Sequence, residues 1–272
     1  MPSSRTPRCS NSARSPRPAP AAAAHPPQVH TRGDLRSLEF QPGMIQSEMR
    51  LSRPDELVLR YARAMMCFVL FQPRPRHILM VGLGGGSLAK FCHRYLPETR
   101  ITVIELRADV IVLRDQFLIP PDDARFRVVH ADAVDYLARV PASVDVLLVD
   151  GFDAAGLPPA LGSARFYADC RRALRPGGVL VANIFSYDRH YGAMLGRLHL
   201  TFRGRVCCFD GIAGNNRILF AVHGGPGAAL RALRVQRLVA LRGWLGLPFL
   251  NPWLARLVVR RLSRGGAARA AL

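Results

Sequence analysis

Between residues 78 and 222, short apolar runs alternate with amphipathic segments, and no other feature restricts the fold as much. Ile78–Val81, Ile101–Ile104, Phe126–Val129, Val144–Val149 and Val179–Ile184 read as strands. Leu88–Tyr95, Ala108–Phe117, Ala133–Ala138 and a stretch from about Arg165 to Leu174 read as the helices between them. Strands this short and this uniformly apolar need cover on both faces, which implies a parallel sheet in an α/β domain. A helix around Tyr191–His199 leads to two last strands, Gly204–Phe209 and Arg217–Val222. The short loop between those two makes them an antiparallel pair at one edge.

The flanks divide the chain further. Residues 1–33 are rich in Pro, Ala, Ser and Arg with little to bury, and read as a disordered tail. Residues 34–72 read as a β-hairpin turning at Pro42-Gly43, then a helix opened by Ser52 and Pro54 and running to about Phe71. Leu57, Tyr61, Met65 and Phe68 form its apolar stripe. Residues 73–224 make the main domain, and 225–272 a Leu/Arg-rich helical extension. A pair of surface helices packed on the domain is the favoured reading of that extension. A helix lying on a membrane surface, suggested by Trp244, Phe249 and Trp253 among arginines, is the second.

The net charge of +19 invites a nucleic-acid reading, but residues 1–36 and 225–272 supply 14 of it. The middle of the chain is ordinary in charge, so no nucleic-acid partner is expected. None of the six cysteines forms a CxxC pair and no histidine cluster joins them, so no metal site is expected. Cysteines set in apolar runs, with no apolar leader before residue 30 and no long apolar span, lead to the expectation of a cytoplasmic protein.

The glycine turn Gly82-Leu83-Gly84-Gly85-Gly86-Ser87 falls where the first strand becomes a helix. Glycines there let the backbone turn tightly and approach a ligand. A dinucleotide fingerprint would put glycine at 87, where Ser87 stands. Glu105 ends the next strand, where an acid can accept hydrogen bonds from two ribose hydroxyls. Asp132 follows the third strand, where a carboxylate can accept the amino hydrogens of adenine. Each has a plainer alternative: turn glycines, a surface acid at 105, a helix cap at 132. Their coincidence at consecutive strand ends favours Gly82, Gly84, Gly86, Glu105 and Asp132 as the binding set for an adenosyl sulfonium compound. Asp150 and Asp153 follow the fourth strand, where a carboxylate faces the reactive end of such a ligand. Asp150 is the candidate catalytic residue and Asp153 a candidate substrate-binding one, with loop capping the alternative for Asp153.

Four stretches together resemble the polyamine aminopropyltransferases, the spermidine synthase family. Gly43-Met44-Ile45-Gln46 with Asp55-Glu56 is similar to that family's N-terminal hairpin and helix, and Val81–Gly86 to its glycine loop. Val103-Ile104-Glu105 matches its ribose-binding acid. Asp150-Gly151-Phe152-Asp153 with Phe166-Tyr167 resembles its acidic signature and paired aromatics.

The resemblance implies a Rossmann-like class I methyltransferase fold, with a mostly parallel seven-stranded sheet, antiparallel last strands and a small N-terminal β-hairpin. It implies aminopropyl transfer from decarboxylated S-adenosylmethionine to a small amine, no permanently bound cofactor, and a homodimer. Asp150 is then the base, with Gln46, Asp153 and Tyr167 holding the amine. Three positions depart from the family pattern. Gly85 stands where the family carries an Asp that contacts the donor's amine, and Leu59 and Tyr61 stand where the first helix carries a Tyr and a Glu. The alternative function is methyl transfer from intact S-adenosylmethionine, whose carboxylate an acid at 85 would repel.

Overall fold

The computed structural model describes residues 26–151, 157–225, 227–244 and 249–270. The first three strands are β1 Gln28–Arg32, β2 Leu35–Gln41 and β3 Met44–Arg50, and they form one antiparallel sheet in that order. The expected hairpin is therefore present but gains a third strand. Gln28–Arg32, assigned above to the tail, pairs along β2 from Gln28↔Glu39 to Arg32↔Leu35. Gly43 takes a positive φ at the turn, and its N–H donates to Glu39 Oε2 at 2.8 Å.

The helix expected from Ser52 starts later, as α1 Arg60–Met65, followed by a 3₁₀ turn over Met66–Leu70. Ser52 is engaged elsewhere: its hydroxyl and its N–H both donate to Asp34, at 2.6 and 2.7 Å. A hydroxyl spent on the turn between β1 and β2 does not cap a helix.

The main sheet contains β4 His77–Val81, β5 Arg100–Glu105, β6 Phe126–His130, β7 Val144–Val149, β8 Leu174–Phe185, β9 Val206–Ala213 and β10 Asn216–Val222. Its order is β6-β5-β4-β7-β8-β10-β9. The first five strands of that order are parallel, and β10 runs antiparallel to both β8 and β9. Arg175-Pro176-Gly177-Gly178, a stretch whose composition suits a turn, is an irregularity inside β8, where the register against β7 slips between Val144 and Val146.

Alternate residues feed two apolar clusters, as strand pleating requires. Ile78, Met80, Val146 and Leu148 join one, and Leu79, Val81, Leu147 and Val149 the other. Helices α4 Ala133–Leu137, α5 Ala164–Ala173 and α6 Tyr191–Thr201 cover the second face. Helix α2 Ser87–Tyr95 covers the first, together with α1 and the C-terminal helices α7 Ala228–Trp244 and α8 Leu250–Ala270. Ala232, Val235, Ala255 and Val258 are buried in that cluster, so the extension packs on the domain. The third helix, α3 Ala108–Ile111, is shorter than expected; it gives way to turns, and Leu118 closes them with φ of 52°.

Lys90, the only lysine, joins these parts. It is 2% exposed, its Nζ donates to the Phe117 carbonyl at 2.6 Å and it lies 2.8 Å from Met49 Sδ. Burial pushes its pKa down to about 8, against the opposing pull of Asp55. Between that value and the ordinary lysine range the unfolded chain binds more protons, so folding stability rises with pH there. The rise is on the order of 3 kcal/mol. Denaturant melts at pH 8 and pH 10 are expected to show it in the wild type and not in Lys90→Met. Equal behaviour of the two would mean that Lys90 keeps its proton in the fold as firmly as in the unfolded chain.

Candidate active site

The sheet order reverses between β4 and β7, and at the carboxyl ends of these two strands lies a cavity of about 500 Å³. Open α/β sheets hold ligands at such a switch point, in sites of roughly 300–1,000 Å³. The two strands nearly touch where the cavity begins. Gly82 has a φ of 94°, and a Cβ built on it would lie 2.6 Å from the Asp150 carbonyl oxygen. A side chain there would force the strand ends apart, so glycine is required.

One wall carries the expected adenosyl set. Gly82, Gly84, Glu105 and Asp132 all line the cavity. Glu105 is 8% exposed, and both carboxylate oxygens accept backbone hydrogen bonds at 2.8 Å, from the N–H groups of Leu83 and Arg107. It thereby ties the glycine turn to the end of β5. Asp132 also caps α4, its Oδ1 accepting from the Val134 N–H at 2.7 Å. The helix cap and a place on the cavity wall thus fall to the same side chain. Gly86 is different. It opens α2 in the left-handed region, with the Ile119 side chain packed where a Cβ would go, and it is absent from the cavity wall. At the rim of this wall the Arg107 guanidinium lies 4.6 Å from the Phe40 ring centre and pairs with Asp109.

The other wall comes from the N-terminal sheet, α1 and the ends of β8 and β10. It includes Gln46, Tyr61, Asn183 and Asn216, with Ile45, Leu59 and Phe185 as apolar surface and Arg60 at the edge. Asp150 stands between the walls. Its own N–H donates to the Val81 carbonyl at 2.9 Å, and its Oδ1 accepts from Asn183 Nδ2 at 3.0 Å. Asn183 Oδ1 in turn accepts from Asn216 Nδ2 at 2.9 Å. The Tyr61 hydroxyl donates to the Gln46 carbonyl at 3.4 Å, and its closeness to the Asp150 carboxyl favours the ionised form of that group. Burial raises the Asp150 pKa to about 6, and the Asn183 and Tyr61 hydrogen bonds restrain that rise. Burial, with the Asp150 charge added, holds the Tyr61 phenol well above its usual range, so it remains a donor.

Two expected residues are not in this set. Tyr167 is 1% exposed inside the second apolar cluster, and its hydroxyl has no hydrogen-bond partner among the described residues. The Ser163 cap sets α5 so that both Phe166 and Tyr167 turn into the core rather than toward the cavity. Asp153 lies outside the described residues.

Tyr61, Asn183 and Asn216 were missed from sequence. Tyr61 was read as part of an apolar stripe and as a departure from the family's first helix, not as a partner of Asp150. Asn183 did carry a signal, a polar side chain inside the apolar run Val-Leu-Val-Ala-Asn-Ile-Phe, and a buried amide needs partners. Asn216 sits beside an ordinary Gly-Asn turn and carried none.

Known proteins share the sequence and the fold. The family model of the spermine/spermidine synthase domain matches residues 58–190. A polyamine aminopropyltransferase of Chromobacterium violaceum is 39% identical over 232 residues, covering 85% of this chain and 89% of that one. Among solved structures, a probable spermidine synthase from Corynebacterium glutamicum superposes with a TM-score of 0.64 at 25% identity, covering 72% of this chain and 76% of that one. Human methyltransferase-like protein 13, in complex with SAH, superposes with a TM-score of 0.51 at 26% identity over 65% of this chain and 90% of that one. Extensive identity to an aminopropyltransferase, on a scaffold shared with a methyltransferase, makes this chain a transferase of the polyamine aminopropyltransferase (spermidine synthase) family.

Proposed function

We propose that the protein transfers an aminopropyl group from decarboxylated S-adenosylmethionine to a small amine, with Asp150 receiving the amine's proton. In this reaction the amine nitrogen attacks the carbon next to the sulfonium. The carbon–sulfur bond breaks, sulfur keeps the electron pair, and methylthioadenosine leaves. The new secondary ammonium gives up one proton.

The observation that carries this reading is the position of Asp150, between a wall suited to adenosine and a wall that can take an amine. With its pKa near 6 it is ionised at neutral pH, yet basic enough to take a proton. Its carboxylate attracts the cationic amine and then accepts the proton of the attacking form. Glu105 and Asp132 are suited to the ribose hydroxyls and the adenine amino group. Gln46 and Tyr61 are suited to lining the amine's path, and holding the nitrogen in line with the sulfonium carbon supplies much of the remaining acceleration.

Methyl transfer from intact S-adenosylmethionine is the second reading, favoured by Gly85. No acid stands there to meet the donor's amine or repel its carboxylate.

Incubation with each donor and a panel of amines separates the two readings by mass. Methylthioadenosine is expected from the decarboxylated donor; S-adenosylhomocysteine alone would sink aminopropyl transfer. Asp150→Asn is expected to slow product formation about a hundredfold or more while donor affinity persists. Full retained activity would remove Asp150 from the mechanism.

The pH profile adds an independent check. Acceptor kcat/KM is expected to rise with pH through about 6, where Asp150 ionises. Asn183→Leu removes a hydrogen bond that favours the ionised form, so the rising limb is expected to move to higher pH. A limb that stays in place would show that Asn183 does not tune the carboxyl.

A further inference from the structure

The C-terminal helices present a surface that the transfer reaction does not use. On α8 one face is docked: Asn251, Ala255 and Val258 are buried. The opposite face is open. Phe249, which accepts the Trp253 N–H at 2.9 Å and so begins the helical turn, is 60% exposed, Trp253 55% and Leu257 45%. Their spacing of four residues sets them in one stripe. Arg256, Arg260, Arg261 and Arg264 are exposed and fall on the same side at three- and four-residue spacings.

Among the described residues no carboxylate pairs with any of these four arginines, and residues 225–272 contain no acid at all. Helix α7 repeats the pattern, with Leu230 and Leu233 exposed beside Arg234 and Arg237. No helix among the described residues is long and apolar enough to cross a membrane.

We propose that the outer face of α8, the Phe249-Trp253-Leu257 stripe with its interleaved arginines, docks on an anionic lipid bilayer surface. Charge complementarity and apolar exposure together select this occupant. Phosphodiester headgroups answer the four guanidinium groups, while the aromatic and leucine side chains enter the boundary between headgroup and acyl chain. Tryptophan suits that boundary, being apolar over most of its surface and polar at one edge. A nucleic acid would satisfy the arginines and leave the apolar stripe in water. A second copy of this face would bring two sets of arginines together with no acid between them.

Co-sedimentation of the full chain with vesicles tests the proposal. Binding is expected to vesicles of phosphatidylglycerol and phosphatidylcholine, to weaken at high salt, and to be largely absent with phosphatidylcholine alone. Arg260→Glu with Arg264→Glu is expected to weaken it about tenfold or more. In a Trp244→Phe background, Trp253 is the single tryptophan, and its emission is expected to shift to the blue with anionic vesicles. Absence of sedimentation by the folded wild type, an unmoved Trp253 emission, or unaltered binding by the double variant would each overturn it. So would stronger binding to a DNA duplex than to vesicles, or a solution dimer that Trp253→Ser dissociates.

Discussion

The contact on which the site depends is the approach of the backbones at the ends of β4 and β7. Gly82 lies against the Asp150 carbonyl, and the Asp150 N–H returns a hydrogen bond to the Val81 carbonyl. At this point the sheet order reverses, so the helices after β4 and β7 diverge and leave a crevice. The turn that would bind a nucleoside and the carboxylate that would receive an amine are thereby joined through main chain. Their separation does not rely on long side chains, whose rotamers would have to be frozen at an entropic cost.

Asp150 is held by opposing effects. Burial disfavours its charge, whereas Asn183 and Tyr61 favour it. Asn183 is itself 2% exposed, and both ends of its amide are used, one on Asp150 and one on Asn216. A buried amide with one end unpaired would be costly, so Asn216 stabilises the arrangement at one remove. The chain from β10 through β8 to β7 crosses the antiparallel edge of the sheet. That edge therefore orients the candidate base as well as closing the core.

Sequence was informative wherever a residue's role follows from its place along a strand. The parallel strands, the glycine turn and the acids at three successive strand ends were legible because pleating and the turn geometry are local. It was less informative where the role depends on another part of the chain. Tyr61 and Met65 look alike in a helical stripe, and only the hairpin over the cavity makes Tyr61 a partner of Asp150. Ser52 looked like a helix cap because nothing local announces Asp34 as its partner. Tyr167 resembled a site residue by motif, yet the helix carrying it turns it into the core.

Gly85 joins these threads. A Cβ built there would lie 2.7 Å from Ser47 Oγ and 2.8 Å from the Phe117 ring. The missing acid is therefore not a vacancy that a single substitution could fill. Ser47 belongs to the hairpin over the cavity and is 3.3 Å from Ser87 across the glycine turn. Phe117 is fully buried, and its carbonyl accepts from Lys90. An aspartate at 85 would have to displace a pinned aromatic ring and a strand residue together. The departure from the pattern that the resemblance implies is thus built into the packing of three segments, and Ser47 and Ser87 present hydroxyls to the cavity beside Gly85. Hydroxyls can donate to a carboxylate as well as accept from an ammonium. The packing that excludes an acid at 85 therefore also removes the charge that would have discriminated between the two donors.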